Sequence, residues 1–213
     1  MAYAVKEIFY TLQGEGGQAG RAAVFLRFAG CNLWSGREAD RPHGAGGCSR
    51  WCDTDFVGTN GAGGGSFRNA EELAAAVEAT WRGRHGKRLV VCTGGEPLLQ
   101  LDVSLLEELH RRSFEIAIET NGTLLPPPGI DWICVSPKAN TQLALRAGQE
   151  LKLVYPQAGM PPENFESLEF SHFFLQPLDG PDRERHTQSC VEYCLAHPRW
   201  RLSLQTHKLL GIP

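Results

Sequence analysis

Short, nearly unbroken apolar runs recur along the chain. They fall at 22–28, 89–92, 116–118, 132–135, 151–154 and 173–175. Each predicts a strand buried on both faces. Trp200, Leu202 and Leu204 alternate with polar residues and predict a last strand. Between these runs apolar residues recur at helical spacing. Leu73, Val77 and Trp81 follow Asn69-Ala70-Glu71-Glu72, which has the N-cap and N3 chemistry of a helix start. Leu105, Leu106 and Leu109 follow a capping Asp102. Cys190, Val191, Cys194 and Leu195 follow Pro181, which suits the first turn of a helix. The stretch 31–68 has neither period, and Gly61-Ala62-Gly63-Gly64-Gly65-Ser66 predicts a flexible tether. A loop of that length in a compact domain points to function.

Buried strands separated by helices predict an α/β fold on a parallel sheet. The Gly-, Pro- and polar-rich motifs follow the C-terminal ends of the strands, where parallel α/β folds place their sites. Several later links are too short or too Pro-rich for a full helix. The expected architecture is a partial, helix-poor TIM-type barrel. No repeat or second domain is visible, so residues 1–213 are read as one domain with a long loop at about 31–68.

Composition narrows the function. The 213 residues are 42% hydrophobic and 21% charged, with a formal net charge of -3. That balance gives no reason to expect nucleic acid or an anionic membrane as partner. No apolar run approaches the ~20 residues of a spanning helix, and the start lacks a signal-peptide pattern. A cytoplasmic location is expected. The seven cysteines, an odd number, argue against a disulfide framework. Cys92 and Cys134 lie inside apolar strands and read as core. Cys190 and Cys194 share a helix face and read as packing, in the core or between subunits.

Cys31, Cys48 and Cys52 fall on one loop and form a metal signal. A structural zinc site wants four ligands, and His43 could complete one. A cubane iron–sulfur cluster normally takes four thiolates. Three would leave one iron open to a cofactor or substrate.

These cysteines, with Trp51 before the last of them and Thr93-Gly94-Gly95-Glu96-Pro97 further on, resemble the radical S-adenosylmethionine superfamily. More narrowly, the chain resembles the 7-carboxy-7-deazaguanine synthase (QueE) family. The matching stretches are 9–16 (FYTLQGEG), 28–34 (FAGCNLW) and 52–56 (CDTDF), then 119–122 (ETNG), 136–138 (SPK) and 205–208 (QTHK). They span nearly the whole chain. The cysteine spacing departs from the common pattern: sixteen residues separate the first pair and three the second, with Ser49 where the middle cysteine usually stands. Cys48 is assigned as the middle ligand, because Gly44, Gly46 and Gly47 let the backbone adjust.

The resemblance implies a lyase. It would convert 6-carboxy-5,6,7,8-tetrahydropterin to 7-carboxy-7-deazaguanine by radical ring contraction with loss of ammonia. That product is a precursor of queuosine and related 7-deazapurines. It further implies a 4Fe-4S cluster on Cys31, Cys48 and Cys52, S-adenosylmethionine, and Mg²⁺ at Thr54. The cofactor would be held by Trp51, Cys52, Asp53, Gly95, Ser136-Pro137-Lys138 and Gln176-Pro177-Leu178-Asp179. Leu12-Gln13-Gly14-Glu15 would read the pterin edge, whose donors and acceptors such residues match. Arg27 interrupts an apolar strand, where an unpaired charge is costly. Its guanidinium suits the substrate carboxylate or a structural ion pair. Thr93 would complete the pocket. Glu119 and His207 are the expected catalytic residues, with His207 and Pro213 at the substrate. An electron donor such as flavodoxin or ferredoxin and a homodimer are also implied. The rival readings are another small radical enzyme, such as a glycyl-radical activase, and a zinc-stabilised binding module without chemistry.

Overall fold

The computed structural model describes residues 2–213. In chain order the elements are β1 (Tyr3–Leu12), β2 (Ala22–Phe28), β3 (Gly65–Phe67), α1 (Ala70–Thr80), β4 (Arg88–Gly94), α2 (Val103–Arg111) and β5 (Phe114–Thr120). There follow β6 (Trp132–Val135), β7 (Ala147–Tyr155), β8 (Glu169–Pro177), α3 (Arg183–Ala196), β9 (Trp200–Leu202) and α4 (Thr206–Leu210). All nine strands form one sheet, ordered β3-β1-β2-β4-β5-β6-β7-β8-β9. β1 runs antiparallel to β2 and β3, and every pair from β2 to β9 is parallel. β3 and β9 end the sheet without meeting, so the barrel is partial, as the short links predict.

The outer face of the sheet carries the main apolar core, and a smaller cluster of Ala23, Leu89, Val91 and Ala117 lies on the opposite face. Leu73, Ala74 and Val77 of α1 and Leu105, Leu106 and Leu109 of α2 press on Val24, Leu26, Val90, Ile116 and Ile118. A second cluster joins Cys190 of α3 to Leu151, Leu153, Phe173, Leu175 and Trp200. Each fully buried Leu, Val or Ile side chain contributes roughly 1.5–3 kcal/mol. The helix starts follow the sequence. Asn69 accepts from the Glu72 N–H at 2.9 Å, and Asp102 accepts from the Leu105 N–H at 3.0 Å. Asp102 also receives the Tyr3 hydroxyl at 2.7 Å, which ties α2 to β1. Pro126, Pro127 and Pro128 lie between β5 and β6, and no helix forms there.

Three local expectations are corrected, and β1 and α4 are additions to them. The Gly-rich segment 61–66 is not a tether. Gly61 N–H donates to Lys6 O at 2.9 Å, Ile8 N–H donates to Ala62 O at 2.8 Å, and β3 extends the sheet beside β1. Its glycines allow this close approach: a Cβ on Gly64 would run into the Lys6 carbonyl. β1 itself was not read as a strand, because Lys6, Glu7, Tyr10 and Thr11 break its apolar pattern. α3 begins at Arg183 behind Asp182, so Pro181 precedes the cap rather than lying in the first turn. The last strand ends at Leu202, and an unforeseen short helix, α4, follows.

Gly64→Ala therefore tests the packed segment. It should lower unfolding stability in a urea titration by about 2 kcal/mol. A solvated tether would show no more than about 0.5 kcal/mol.

Candidate active site

The inner face of the sheet is polar near the C-terminal ends of its strands. Arg27 on β2 pairs in register with Thr93 on β4. Cys92↔Ile118 is the preceding pair, so Thr93 and Glu119 lie abreast on β4 and β5. Lys152 and Val154 of β7 and Gln176 of β8 continue the wall. These side chains line a cavity of about 440 Å³. That size suits a small organic molecule.

The cysteine loop roofs the cavity. Cys31, Cys48 and Cys52 all line it, and no fourth thiol does. The Leu33 N–H donates to Cys31 Sγ at 3.4 Å. Arg41 secures the long insertion. Its Nη1 donates to Ser49 O at 2.7 Å and Cys52 O at 3.1 Å, and its guanidinium lies 4.7 Å from the Trp34 ring centre. Gly47 N–H donates to Ala139 O at 2.8 Å, which ties the loop to the turn after β6. Burial pushes the Cys48 thiol up to about 11, although Lys138 opposes this. Cys31 is also raised, chiefly by burial. Such thiols ligate once a metal displaces the proton.

Three thiols on one cavity are a donor set that an iron–sulfur cluster can use. Among the described residues no three His, Cys, Asp or Glu side chains converge closely enough to hold one ion. A cubane offers each thiolate its own iron. His43, the candidate fourth zinc ligand, is exposed and does not line the cavity. Ser49 does not line it either; its hydroxyl donates to Arg41 O at 2.8 Å.

Glycine and glutamate of the second motif have distinct jobs. A Cβ on Gly95 would stand 2.6 Å from Cys31 Cβ, so glycine lets this loop lie against the first cysteine. Glu96 is fully buried and accepts from Leu98 N–H at 3.0 Å, Thr120 Oγ1 at 2.8 Å and Asn121 N–H at 2.8 Å. It braces the turn after β5 against the turn after β4. Burial raises its pKa above the usual carboxylate range.

The segment 13–20 crosses from the end of β1 to the far strands. Gly16 N–H donates to Ser203 Oγ at 2.9 Å, and Gly17 N–H donates to Glu150 Oε2 at 2.8 Å. Thr206 N–H donates to Gly14 O at 3.0 Å. A Cβ on Gly14 would collide with the His207 ring. Glu15 and Glu119 both form ion pairs with Lys152.

Most of the expected residues meet at this cavity. Leu12, Gln13, Gly14, Glu15, Arg27, Thr93, Glu119, His207 and Pro213 line it, as do Trp51, Asp53, Thr54, Gly95, Ser136, Lys138 and Gln176. Arg27 Nε donates to Glu7 Oε1 at 2.7 Å, which is the ion pair the sequence left open, while its Nη atoms have no partner among the described residues. Thr11 Oγ1 donates to Pro213 O at 2.9 Å. Pro137, Pro177, Leu178 and Asp179 do not line the cavity. Asp179 instead joins Asp53 on Lys208, at 2.6 Å from its Nζ. Pro177 borders a wider groove, about 870 Å³, between α3 and α4. Sequence reading missed Lys152, Glu7 and Lys208. Lys152 carried the same signal as Arg27, a charge inside an apolar strand.

A three-thiol roof over an open, mostly parallel barrel places the chain among the radical S-adenosylmethionine enzymes. Whole-length relatives narrow the assignment. The chain is 64% identical over 213 residues to the 7-carboxy-7-deazaguanine synthase of Caulobacter vibrioides, covering all of both chains. It is equally 64% identical over 213 residues to that of Bordetella pertussis, again covering all of both. Its fold matches the crystal structure of QueE from Escherichia coli with a TM-score of 0.71 at 26% identity, covering 96% of this chain and 94% of that one. No protein-family model matches. The chain belongs to the 7-carboxy-7-deazaguanine synthase family. It is a radical lyase of 7-deazapurine biosynthesis, and the activase and zinc-module readings give way to that.

The geometry also predicts which residue of the insertion ligates. Cys48→Ala should prevent assembly of an intact cluster, read as iron content and the absorption of the reconstituted protein. Ser49→Ala should leave both unchanged.

Proposed function

We propose that this chain converts 6-carboxy-5,6,7,8-tetrahydropterin to 7-carboxy-7-deazaguanine with loss of ammonia, acting as one domain with 31–68 as its cluster-binding loop. The observation that carries this is the convergence of Arg27, Gln13, Glu15 and Glu119 under the three thiols, in one cavity. A bound 4Fe-4S cluster and S-adenosylmethionine supply the one-electron chemistry that starts the reaction.

The protein's part is binding, orientation and proton handling. Cys31, Cys48 and Cys52 hold the cluster. The Gly95 backbone, Trp51 and the 136–138 turn hold S-adenosylmethionine, with Gln176-Pro177-Leu178-Asp179 alongside. Lys138 lies 5.7 Å from the Trp51 ring centre, a contact that fixes the indole. The free Nη atoms of Arg27 take the substrate carboxylate in a forked pair. The Gln13 amide can both donate to and accept from the pterin edge, and the Glu15 carboxylate accepts from it. Glu119 and His207 hold or move protons at the substrate, with Thr93 and Pro213 beside them. Thr54 suits Mg²⁺ better than its neighbours do. All three line the cavity, but Asp53 is engaged by Lys208 and Asp55 by Lys6 at 2.7 Å, while the Thr54 hydroxyl has no hydrogen-bond partner among the described residues. Mg²⁺ keeps several waters and needs few protein ligands.

We further propose a homodimer in the cytoplasm, reduced by a flavodoxin or ferredoxin. The net charge of -3 supports a small-molecule role rather than nucleic-acid binding. No helix among the described residues is long and apolar enough to cross a membrane.

The deciding experiment uses anaerobically reconstituted, dithionite-reduced protein with S-adenosylmethionine, Mg²⁺ and the pterin. Mass spectrometry should show 7-carboxy-7-deazaguanine, and the cluster's electron paramagnetic resonance signal should change when S-adenosylmethionine is added. Colourless, zinc-loaded protein that forms no product would overturn the proposal. Arg27→Ala should weaken pterin binding about 10- to 100-fold, the value of lost charged hydrogen bonds. S-adenosylmethionine binding, measured by calorimetry, should not change.

A further inference from the structure

We propose that Lys152 is a positioning residue for the substrate: it holds Glu15 and Glu119 side by side as a paired acceptor for the amino and amide groups of the pterin ring. The inference rests on the proposed substrate and adds a residue to its recognition.

Lys152 sits on β7 between Leu151 and Leu153, both fully buried, and is itself only 3% exposed. A lone ammonium there would be costly. Its Nζ contacts Glu15 Oε2 and lies 3.1 Å from Glu119 Oε2, and among the described residues it makes no other hydrogen bond. The second oxygen of each carboxylate is held by an amide. Gln13 Nε2 donates to Glu119 Oε1 at 2.8 Å, and Gln205 Nε2 donates to Glu15 Oε1 at 3.0 Å. Lys152, Gln13 and Gln205 thus fix the two carboxylates around one cation.

The arrangement does more than hold the loop in place. Segment 13–20 is already fastened by the Gly16–Ser203, Gly17–Glu150 and Thr206–Gly14 hydrogen bonds. None of these orients the Glu15 carboxylate. Lys152 and Gln205 do. A carboxylate only accepts hydrogen bonds, whereas the amino and ring N–H groups of a pterin donate. Two carboxylates in one buried site do not both ionise unless a cation sits between them.

The electrostatics agree. Glu150 and Cys134 flank Lys152 on its own and the neighbouring strand, Lys138 faces it from the turn after β6, and His207 approaches Glu15 from α4. Burial opposes the charge on Lys152, but Glu119 and Glu15 outweigh it and hold the ammonium well above its ordinary value. Burial likewise pushes Glu15 up, but Lys152, Gln205 and His207 prevail and hold it at about 2. A lowered carboxylate pKa gives stability that is present above the ordinary carboxylate range and is lost as pH falls toward about 2. Without Lys152, burial dominates and Glu15 protonates at higher pH.

The test is Lys152→Met beside Lys152→Arg, with pterin KM and kcat/KM followed against pH. K152M should raise the pterin KM about tenfold or more. It should also move the acid limb of kcat/KM up by about one pH unit or more, with S-adenosylmethionine affinity unchanged. K152R, which restores the cation, should keep the acid limb of the wild type. A folded K152M with wild-type KM and acid limb overturns the proposal. So does a KM rise that K152R repeats with no shift of the limb in either variant. If K152M does not fold, Glu15→Gln carries the test: it keeps the Lys152–Glu119 pair, and a wild-type pterin KM there overturns the proposal. Wild-type protein that fails to turn over the pterin would sink the substrate itself. Normal wild-type turnover with an unaffected K152M would sink only the role of Lys152.

Discussion

An open sheet with a polar inner face needs something to close it, and in this protein segment 13–20 does so. β3 and β9 do not pair. Left alone, the strand ends carrying Glu119, Lys152 and Gln176 would face water. The segment spans the gap, with backbone N–H groups on Ser203 and Glu150 and with Glu15 on Lys152. The segment that completes the barrel also carries Gln13, Gly14 and Glu15, which are expected to read the substrate. Closure and recognition therefore share one segment, with separate contacts for each. That explains why so polar an interior is tolerated: Arg27 is met by Glu7 and Lys152 by Glu15 and Glu119, and these partners also line the cavity.

The roof follows a related logic. A sixteen-residue insertion between the first two cysteines would be a floppy ligand carrier without internal support. Arg41 gives it that support by joining the Ser49 and Cys52 carbonyls to the Trp34 ring. Below it, the Gly95 loop lies directly against Cys31, and Glu96 fastens that loop to the turn after β5. The cysteine loop and the Gly95 loop are one packed unit, so displacing either displaces the other.

Much of this was legible in the sequence. Burial on both faces leaves near-continuous apolar runs, so the parallel strands were visible one by one. Asn69 and Asp102 announced their helices because cap chemistry is local. The cysteines and strand-end motifs announced the site. What escaped was decided by contacts far apart in sequence. β1 is half polar because Glu7 faces Arg27 across twenty residues of chain. The glycines of 61–66 look flexible in isolation, yet they are small so that their backbone can lie on β1. Lys208 lies in the 205–208 motif, but its pairing is not legible there because its partners, Asp53 and Asp179, are distant in the chain.

Arg27 and Lys152 show why one signal has two meanings. Both are cations inside apolar strands, and both face the same cavity. A guanidinium has five donors in a fixed fork. Glu7 uses only Nε of Arg27, so the outer fork stays free for a carboxylate that arrives from solution. An ammonium has three donors on one atom. Two carboxylates of the protein already occupy Lys152, and its 3% exposure leaves little approach for a ligand. A strand-interrupting charge in sequence therefore says that a buried partner exists. Whether that partner is substrate or protein depends on how many donors the fold leaves unpaired.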